Sequence, residues 1–539
     1  TEFSDFRSPS EIGAHLNMAE YVEYLQNYAN ANNLLQHILF NTSVERVQRV
    51  VGDRDDGKVY KVSDGKGYIR TVDAVAVCSG VHNIPRIPRI FRQFKEKFTG
   101  EVLHSSNYKS VKQLAGKRVV VVGSQETGMD IANFAVTQPE DDFKSATMIY
   151  RRGFLSIPHL ISGKPLDTNI TNAFESCYQH RWVEQGGGTF ISGIKWGFAT
   201  YFIRIGLLLG TGSSVGWNQW TGEVKHVKRG YNYITKSTEA MKYINVPFKH
   251  NSWFAFLHRR LDGDMIPNRQ IDTHRAEIVQ LGDDDGVASD KLHLMLANTG
   301  ERKQIHADIV VLCTGYIQRF PFLQDDNNDD ETNKHHTDKN KNNKNNNNNN
   351  NSSSNSNTAD RSTGEEDVDS SLPSEHLILN PEEPTLAFIG FVRPNVGAIP
   401  PMSELQAMYW IQRMKGVITG PKKPHTRDTY TLRAAKHEYS VDYGQYMHEL
   451  ARDIEAAPDM LTGRFSFWRD PKIFVAYMFG QSLSPFFRLQ GPFAKEACVD
   501  IARTELYHVI LNRGVVLNTV FVTTCAFFGV INVGALVVE

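Results

Sequence analysis

Cysteine is scarce in this chain, with five in 539 residues, at positions 78, 177, 313, 498 and 525. They are odd in number, widely spread and free of any Cys-x-x-Cys, which excludes a thioredoxin-type dithiol and fits a reducing compartment. No His-Glu-x-x-His, no Gly-x-Ser-x-Gly and no metal-spaced Cys/His cluster occurs, so neither a metal centre nor a nucleophile elbow is expected, and no catalytic side chain is assigned. A surplus of charge is missing too. The formal net charge is -1, from 59 Lys and Arg against 60 Asp and Glu. Without a basic face, nucleic acid is not an expected partner. The length leaves room for two or three domains.

What is present is a strand, a glycine turn and a helix in succession. Val119 to Val122 are four consecutive β-branched residues, as a strand buried on both faces requires, and they run straight into Gly123. Gly123-Ser124-Gln125-Glu126-Thr127-Gly128 keeps the first and last glycines of Gly-x-Gly-x-x-Gly. The first makes the tight turn and the last lets helix pack on strand, while the middle one lets backbone approach a pyrophosphate closely. Gln125 stands at that middle position, which implies a displaced cofactor or a weakened site. The helix is expected to open at Thr127-Gly128 with its amides facing phosphate, and Met129 and Asp130 complete the expected cofactor-binding stretch.

About 20 to 25 residues beyond such a turn, an NAD site places an acidic residue on the ribose 2′-hydroxyl. Here Ala146 to Tyr150 read as a strand ending in Arg151-Arg152-Gly153. A guanidinium fork suits a 2′-phosphate, so NADP(H) is preferred over NAD(H). A solvated basic pair at a strand end is the alternative. On either side of this unit lie two near copies of one pattern, Asp73-Ala-Val-Ala-Val-Cys78-Ser79-Gly80 and Asp308-Ile-Val-Val-Leu-Cys313-Thr314-Gly315. They imply a chain that leaves one domain, builds a second and returns. Cys78 and Cys313 are expected to be small buried core residues rather than reactive thiols.

Phe98-x-Gly100-x-x-x-His104-x-x-x-Tyr108-Lys109 resembles the identifying signature of flavin-containing monooxygenases, which likewise precedes their NADPH-binding turn. Further similar segments are Val77 to Pro85, Cys313 to Tyr316, Phe320 to Leu323, Phe388 to Pro394, Gly397 to Gln406 and Phe487 to Pro492. The resemblance covers most of 1–155, 230–325 and 375–495. It implies an α/β fold of two dinucleotide-binding Rossmann-like domains, the NADP domain inserted in a FAD domain. Gly80, Thr314, Gly315, Glu404 and Gln406 join the cofactor-binding set from the matching segments. The chemistry implied uses FAD, NADPH and O2, and a C4a-hydroperoxyflavin gives one oxygen atom to an amine or sulfide. Tyr108-Lys109 favours N- or S-oxygenation over Baeyer-Villiger chemistry. His104 is expected to fix its loop rather than act as a base.

The resemblance begins after the family's first βαβ unit. The FAD glycine turn is therefore expected to be missing from these 539 residues, together with the family's active-site asparagine, and tight flavin binding is not expected of this polypeptide. The expected organisation is 1–110 as the remainder of the FAD domain, 111–305 as the NADP domain with a poorly matched insertion at 155–230, and 306–324 as the return. An Asn-rich tract at 325–371, including Asn345 to Asn351, is expected to be disordered. Residues 372–512 complete the FAD domain.

Val515 to Val538 are 24 residues without a charge. As a helix they would measure about 36 Å, against about 30 Å of bilayer hydrocarbon. They are expected to act as a membrane anchor, and with Arg503 and Arg513 on the N-terminal side the rest of the protein would face the cytoplasm; the family resemblance implies that the membrane is that of the endoplasmic reticulum. A tail helix packed on the domain is the alternative. Trp196 to Leu209 is too short and carries Arg204, so it reads as a buried or interfacial helix. Trp217, Trp220 and Trp253 are candidates for lining substrate entry, with core packing as the alternative. Two other functions stay open: a relative that oxidatively decarboxylates an α-keto acid, and a non-catalytic NADP-binding remnant.

Overall fold

The computed structural model describes residues 2–8, 16–51, 58–151, 154–158, 160–161, 164–165, 201, 205, 220–221, 234–237, 240–244, 265–324, 369–394, 397–422, 429–432 and 437–538. Arg152, Cys177, Trp217, Trp253, most of 155–230 and nearly all of the Asn-rich tract lie outside the described residues.

Seven strands form one sheet, in the order Arg302–His306, Lys291–Leu296, Ile271–Leu281, Phe143–Tyr150, Lys117–Val122, Ile309–Leu312, Glu101–His104. The last five run parallel, and the first two fold back from Ile271–Leu281 as an antiparallel meander. Valine alternation explains the centre. Val119 and Val121 pack on one face beneath the Glu126–Val136 and Ala240–Ile244 helices, while Val120 packs on the other with Phe91, Phe98, Leu292 and Leu294. All three are at most 2% exposed. Each contributes about 1.5–3 kcal/mol by leaving water, which makes this strand the axis of the domain.

The sheet draws on residues outside 111–305. Ile309–Leu312 hydrogen-bonds to Lys117–Val122 on one side and to Glu101–His104 on the other. Strand order therefore reverses between Lys117–Val122, whose chain continues to one side, and Ile309–Leu312. The carboxyl ends of these two strands meet at Gly123 and Cys313.

A second core surrounds Val77, Leu379, Phe391, Tyr409 and Tyr446, built by the Ile399–Met414 and Tyr443–Asp453 helices on a small sheet. In that sheet Val75–Val77 runs parallel to Glu383–Phe388, which pairs antiparallel with Leu379–Asn380. Among the described residues Val75–Val77 is paired on one side only, and this corrects the expectation for Cys78. Cys78 is exposed just past that edge strand. Cys313 follows a strand paired on both sides and is half-buried, its thiol pushed up to about 12 by burial.

The C-terminal part is helical. Pro471–Phe479 packs on the segment running from Glu496–Ile501 through Ala502–Leu506 to Tyr507–Asn512, and a 24-residue helix, Val515–Val538, follows. Among the described residues no single helix is long and apolar enough to cross a membrane, although Glu496–Asn512 and Val515–Phe527, bent by 96°, meet that requirement as a pair.

Candidate nucleotide site

Gly123 adopts φ +124°, and a Cβ there would lie 2.3 Å from the Cys313 carbonyl oxygen. A Cβ on Gly128 would lie 2.3 Å from the Gly123 carbonyl oxygen. Turn, helix and return crossing are thus pressed together at two points where only glycine fits. The helix begins at Glu126, one residue earlier than expected, with Gln125 as N-cap at φ -83° and ψ -177°. The Gln125 side chain makes no hydrogen bond to the helix. It turns instead to a distant segment of the chain, its amide oxygen accepting from Arg393 Nη2 at 2.9 Å. Glu126 and Thr127 are exposed beside it, and Ser124 and Asp130 are half-buried. Met129 is corrected: its side chain is 0% exposed in the core and its N–H donates to the Gln125 carbonyl, because helical periodicity turns this position toward Val119 and Val121.

The twin crossings share one backbone conformation, Gly80 and Gly315 both at φ +82°. Thr314 Oγ1 donates to the Arg86 carbonyl, and the Gly315 carbonyl accepts from Arg86 N at 2.9 Å. His104 completes this knot. Ser106 N donates to His104 Nδ1 at 3.1 Å, so the ring proton sits on Nε2 and is donated to the Gly315 carbonyl at 3.1 Å. Both ring nitrogens are occupied and the side chain is buried, which lowers its pKa, with the Gly315 carbonyl pulling the other way. Its ring meets Tyr316 edge-on at 5.2 Å, and Tyr316 also packs against His82. Gly100 is required because a Cβ would meet the Phe98 ring at 2.5 Å. The signature residues thus fasten the strand ends.

At the carboxyl end of Phe143–Tyr150, Arg151 is exposed. Its carbonyl accepts from Arg275 Nε at 3.3 Å, so a second guanidinium lies there. Arg275 comes from the neighbouring strand, where it is in register with Tyr150.

The sequence model of the flavin-binding monooxygenase-like family matches residues 1–177 and 369–525. The chain belongs to this family. Similar proteins include monooxygenase ptmN of Penicillium ochrochloron, 32% identical over 95% of this chain and 80% of that one. Monooxygenase PC-14 of Penicillium crustosum is 31% identical over 95% and 83%, and human flavin-containing monooxygenase 5 is 25% identical over 91% and 77%. A solved cyclohexanone monooxygenase aligns with a TM-score of 0.47 at 14% identity, over 85% of this chain and 87% of that one, a likeness in outline only.

This flavin-binding monooxygenase-like protein is therefore an oxidoreductase, and FAD with NADP is the family's cofactor pair. The Gly123–Gly128 turn fits NADP: its helix is uncapped by side chains and its packing glycines are in place. For FAD the fit is poorer. Among the described residues there is no second strand, glycine turn and helix of this kind, and two expected cofactor residues are engaged elsewhere. Glu404 accepts from Ser4 N at 3.0 Å and from Ser4 Oγ, and pairs with Arg488 at 3.3 Å. Gln406 is 0% exposed, accepting from Gly390 N at 2.9 Å and donating to Tyr446 Oη at 2.8 Å. Glu404 braces the N-terminal segment and Gln406 the Gly390 turn: Gln406 is on the buried face of Ile399–Met414, while Glu404, two positions earlier and so on a different side of the helix, is half-buried. A cavity of about 520 Å³ near Arg118, Asp290 and Asp308 opens at the amino ends of the strands, away from the turn. Arg393 and Arg275 were not assigned from sequence. The Arg-Pro step in the Phe388 to Pro394 motif was a signal for the first, and nothing local marked the second.

Proposed function

We propose that this protein is an NADPH- and FAD-dependent monooxygenase that transfers one oxygen atom of O2 to a soft nitrogen or sulfur nucleophile, an amine or a sulfide. The observation that carries the reading is the Gly123–Gly128 turn, packed against the Cys313 crossing where strand order reverses. Crevices at such points are where open α/β sheets bind nucleotides. When bound, the cofactors supply the hydride and the oxygen activation, and the chain supplies orientation and exclusion of water. First-turn amides of Glu126–Val136 would hold the pyrophosphate, and Arg151 with Arg275 would face the 2′-phosphate. His104 holds the Gly315 crossing in place through its carbonyl. Tyr108-Lys109 supports heteroatom oxygenation as the subclass.

The same reading has the protein at the cytoplasmic face of the endoplasmic reticulum membrane, held by Val515–Val538. Its support is an uncharged 24-residue helix with Val515, Val516 and Val530 exposed, preceded by Arg503 and Arg513. The test is NADPH oxidation with FAD supplied, offering a tertiary amine, a sulfide, a cyclic ketone and an α-keto acid, with products identified by mass spectrometry. An N-oxide or S-oxide is expected. A lactone or released CO2 would move the protein to another subclass, and absence of NADPH binding would overturn the reading.

A further inference from the structure

Gln125 departs from the family's glycine pattern, and its side chain is spent on a single contact with Arg393, 268 residues away in sequence. Arg393 is exposed and follows Phe391 and Val392 of the second core. Its strand, Arg393–Pro394, pairs with Ser440–Val441, its N–H donates to the Tyr439 carbonyl at 3.0 Å, and Gln406 holds Gly390 three residues before it. The guanidinium therefore comes to the turn on a fixed stem from the opposite side of the crevice.

Charge around the guanidinium points the same way. Arg86, also near Tyr439, is neutralised by Asp369 at 3.2 Å. Among the described residues Arg393 makes no ion pair with a carboxylate; its hydrogen bond goes to a neutral amide. His82 lies within its field and has its pKa lowered, mainly by burial and further by Arg393, while Glu126 acts oppositely. Neither form of His82 can offset the guanidinium, since an imidazole is neutral or cationic. A guanidinium held near the positive end of a helix, with no carboxylate paired to it among the described residues, adds to that end's attraction for an anion.

A side chain at the middle position keeps backbone from approaching phosphate as closely as glycine allows. A guanidinium fork can span that added distance and grip phosphate oxygens in pairs. We propose that Arg393 is a positioning residue for the dinucleotide pyrophosphate, steered to the turn by Gln125, so that the nucleotide is gripped from both sides of the crevice. This rests on the nucleotide reading of the Gly123–Gly128 turn.

The test titrates NADP+ and NAD+ into the 539-residue protein and its Arg393→Ala, Arg393→Lys, Gln125→Ala and doubly substituted variants, at low and moderate salt. Arg393→Ala is expected to weaken both nucleotides by the same factor, about ten- to a hundredfold. Arg393→Lys recovers part of that loss, the salt dependence of binding becomes shallower in Arg393→Ala, and the unfolding temperature without nucleotide is unchanged. Gln125→Ala weakens binding in the wild-type background and has no effect beside Arg393→Ala. Unchanged affinities in Arg393→Ala would overturn the proposal, and so would a loss confined to NADP+, which places the arginine on the 2′-phosphate. A wild-type protein that binds neither nucleotide removes the site itself, a failure visible before any variant is made.

Discussion

Gly123 has no room for a methyl group, and Gly315 does. A Cβ at Gly123 would overlap the Cys313 carbonyl oxygen at φ +124°, whereas nothing lies within 4 Å of a Cβ at Gly315, whose φ of +82° is the only demand. Asparagine tolerates the left-handed region, so Gly315→Asn should melt close to wild type. Gly123→Ala should lose about 1–3 kcal/mol from backbone strain alone, more with the clash, and should lose NADPH binding. Thermal unfolding and nucleotide titration check both. His104 gives a pH prediction. Burial lowers its folded pKa below the ordinary ~6.5, so its contribution to stability is present above that value and fades as pH falls through the folded pKa. The stability gap between wild type and His104→Ala should therefore be wider at pH 8 than at pH 5 in denaturant unfolding.

At the scale of elements, two arginines come together where the proposed function puts the 2′-phosphate. Arg151 ends Phe143–Tyr150 and Arg275 stands beside it on Ile271–Leu281. Replacing Arg275 by Ala should lower the preference for NADPH over NADH by about tenfold, read as a ratio of kcat/KM. A ratio that does not move would take this pair out of 2′-phosphate recognition. The other ends of the strands are tied by Arg118, whose N–H and guanidinium both reach Asp308 and which also pairs with Asp290 at 2.6 Å. Hydrogen bonding from Arg118 pulls the Asp308 carboxyl down to about 2. A depressed carboxylate stabilises above its unfolded value of ~3.9 and loses that contribution as pH falls toward 2. Asp308→Asn should be less stable than wild type at pH 7 and show a flatter stability profile between those values.

For the whole molecule, the issue is how two cores and a terminal helix work together. The cores meet at the turn through the Arg393 contact with Gln125 and at the knot of Arg86, Thr314 and Gly315. The terminal helix leaves Asn512 at a sharp bend. Ending the chain after Gly514 should move the protein from the membrane pellet to the supernatant and leave NADP+ affinity unchanged. An unshortened 539-residue protein already in the supernatant would refute the anchor.

From the sequence alone came the strand, turn and helix at 117–136, the likeness of the two crossings and the family, because these depend on local facts. A β-branched run wants a doubly buried strand, and glycines mark places where backbone must touch backbone. Only tertiary structure decided that Met129 faces the core, that Cys78 lies exposed beyond an edge strand, and that Glu404 and Gln406 spend their polar atoms on Ser4, Arg488, Gly390 and Tyr446. It also decided that Arg393 arrives opposite Gln125. Such outcomes depend on which distant elements pack together, since burial and hydrogen-bond choice are settled by neighbours in space and no residue carries them in its own side chain.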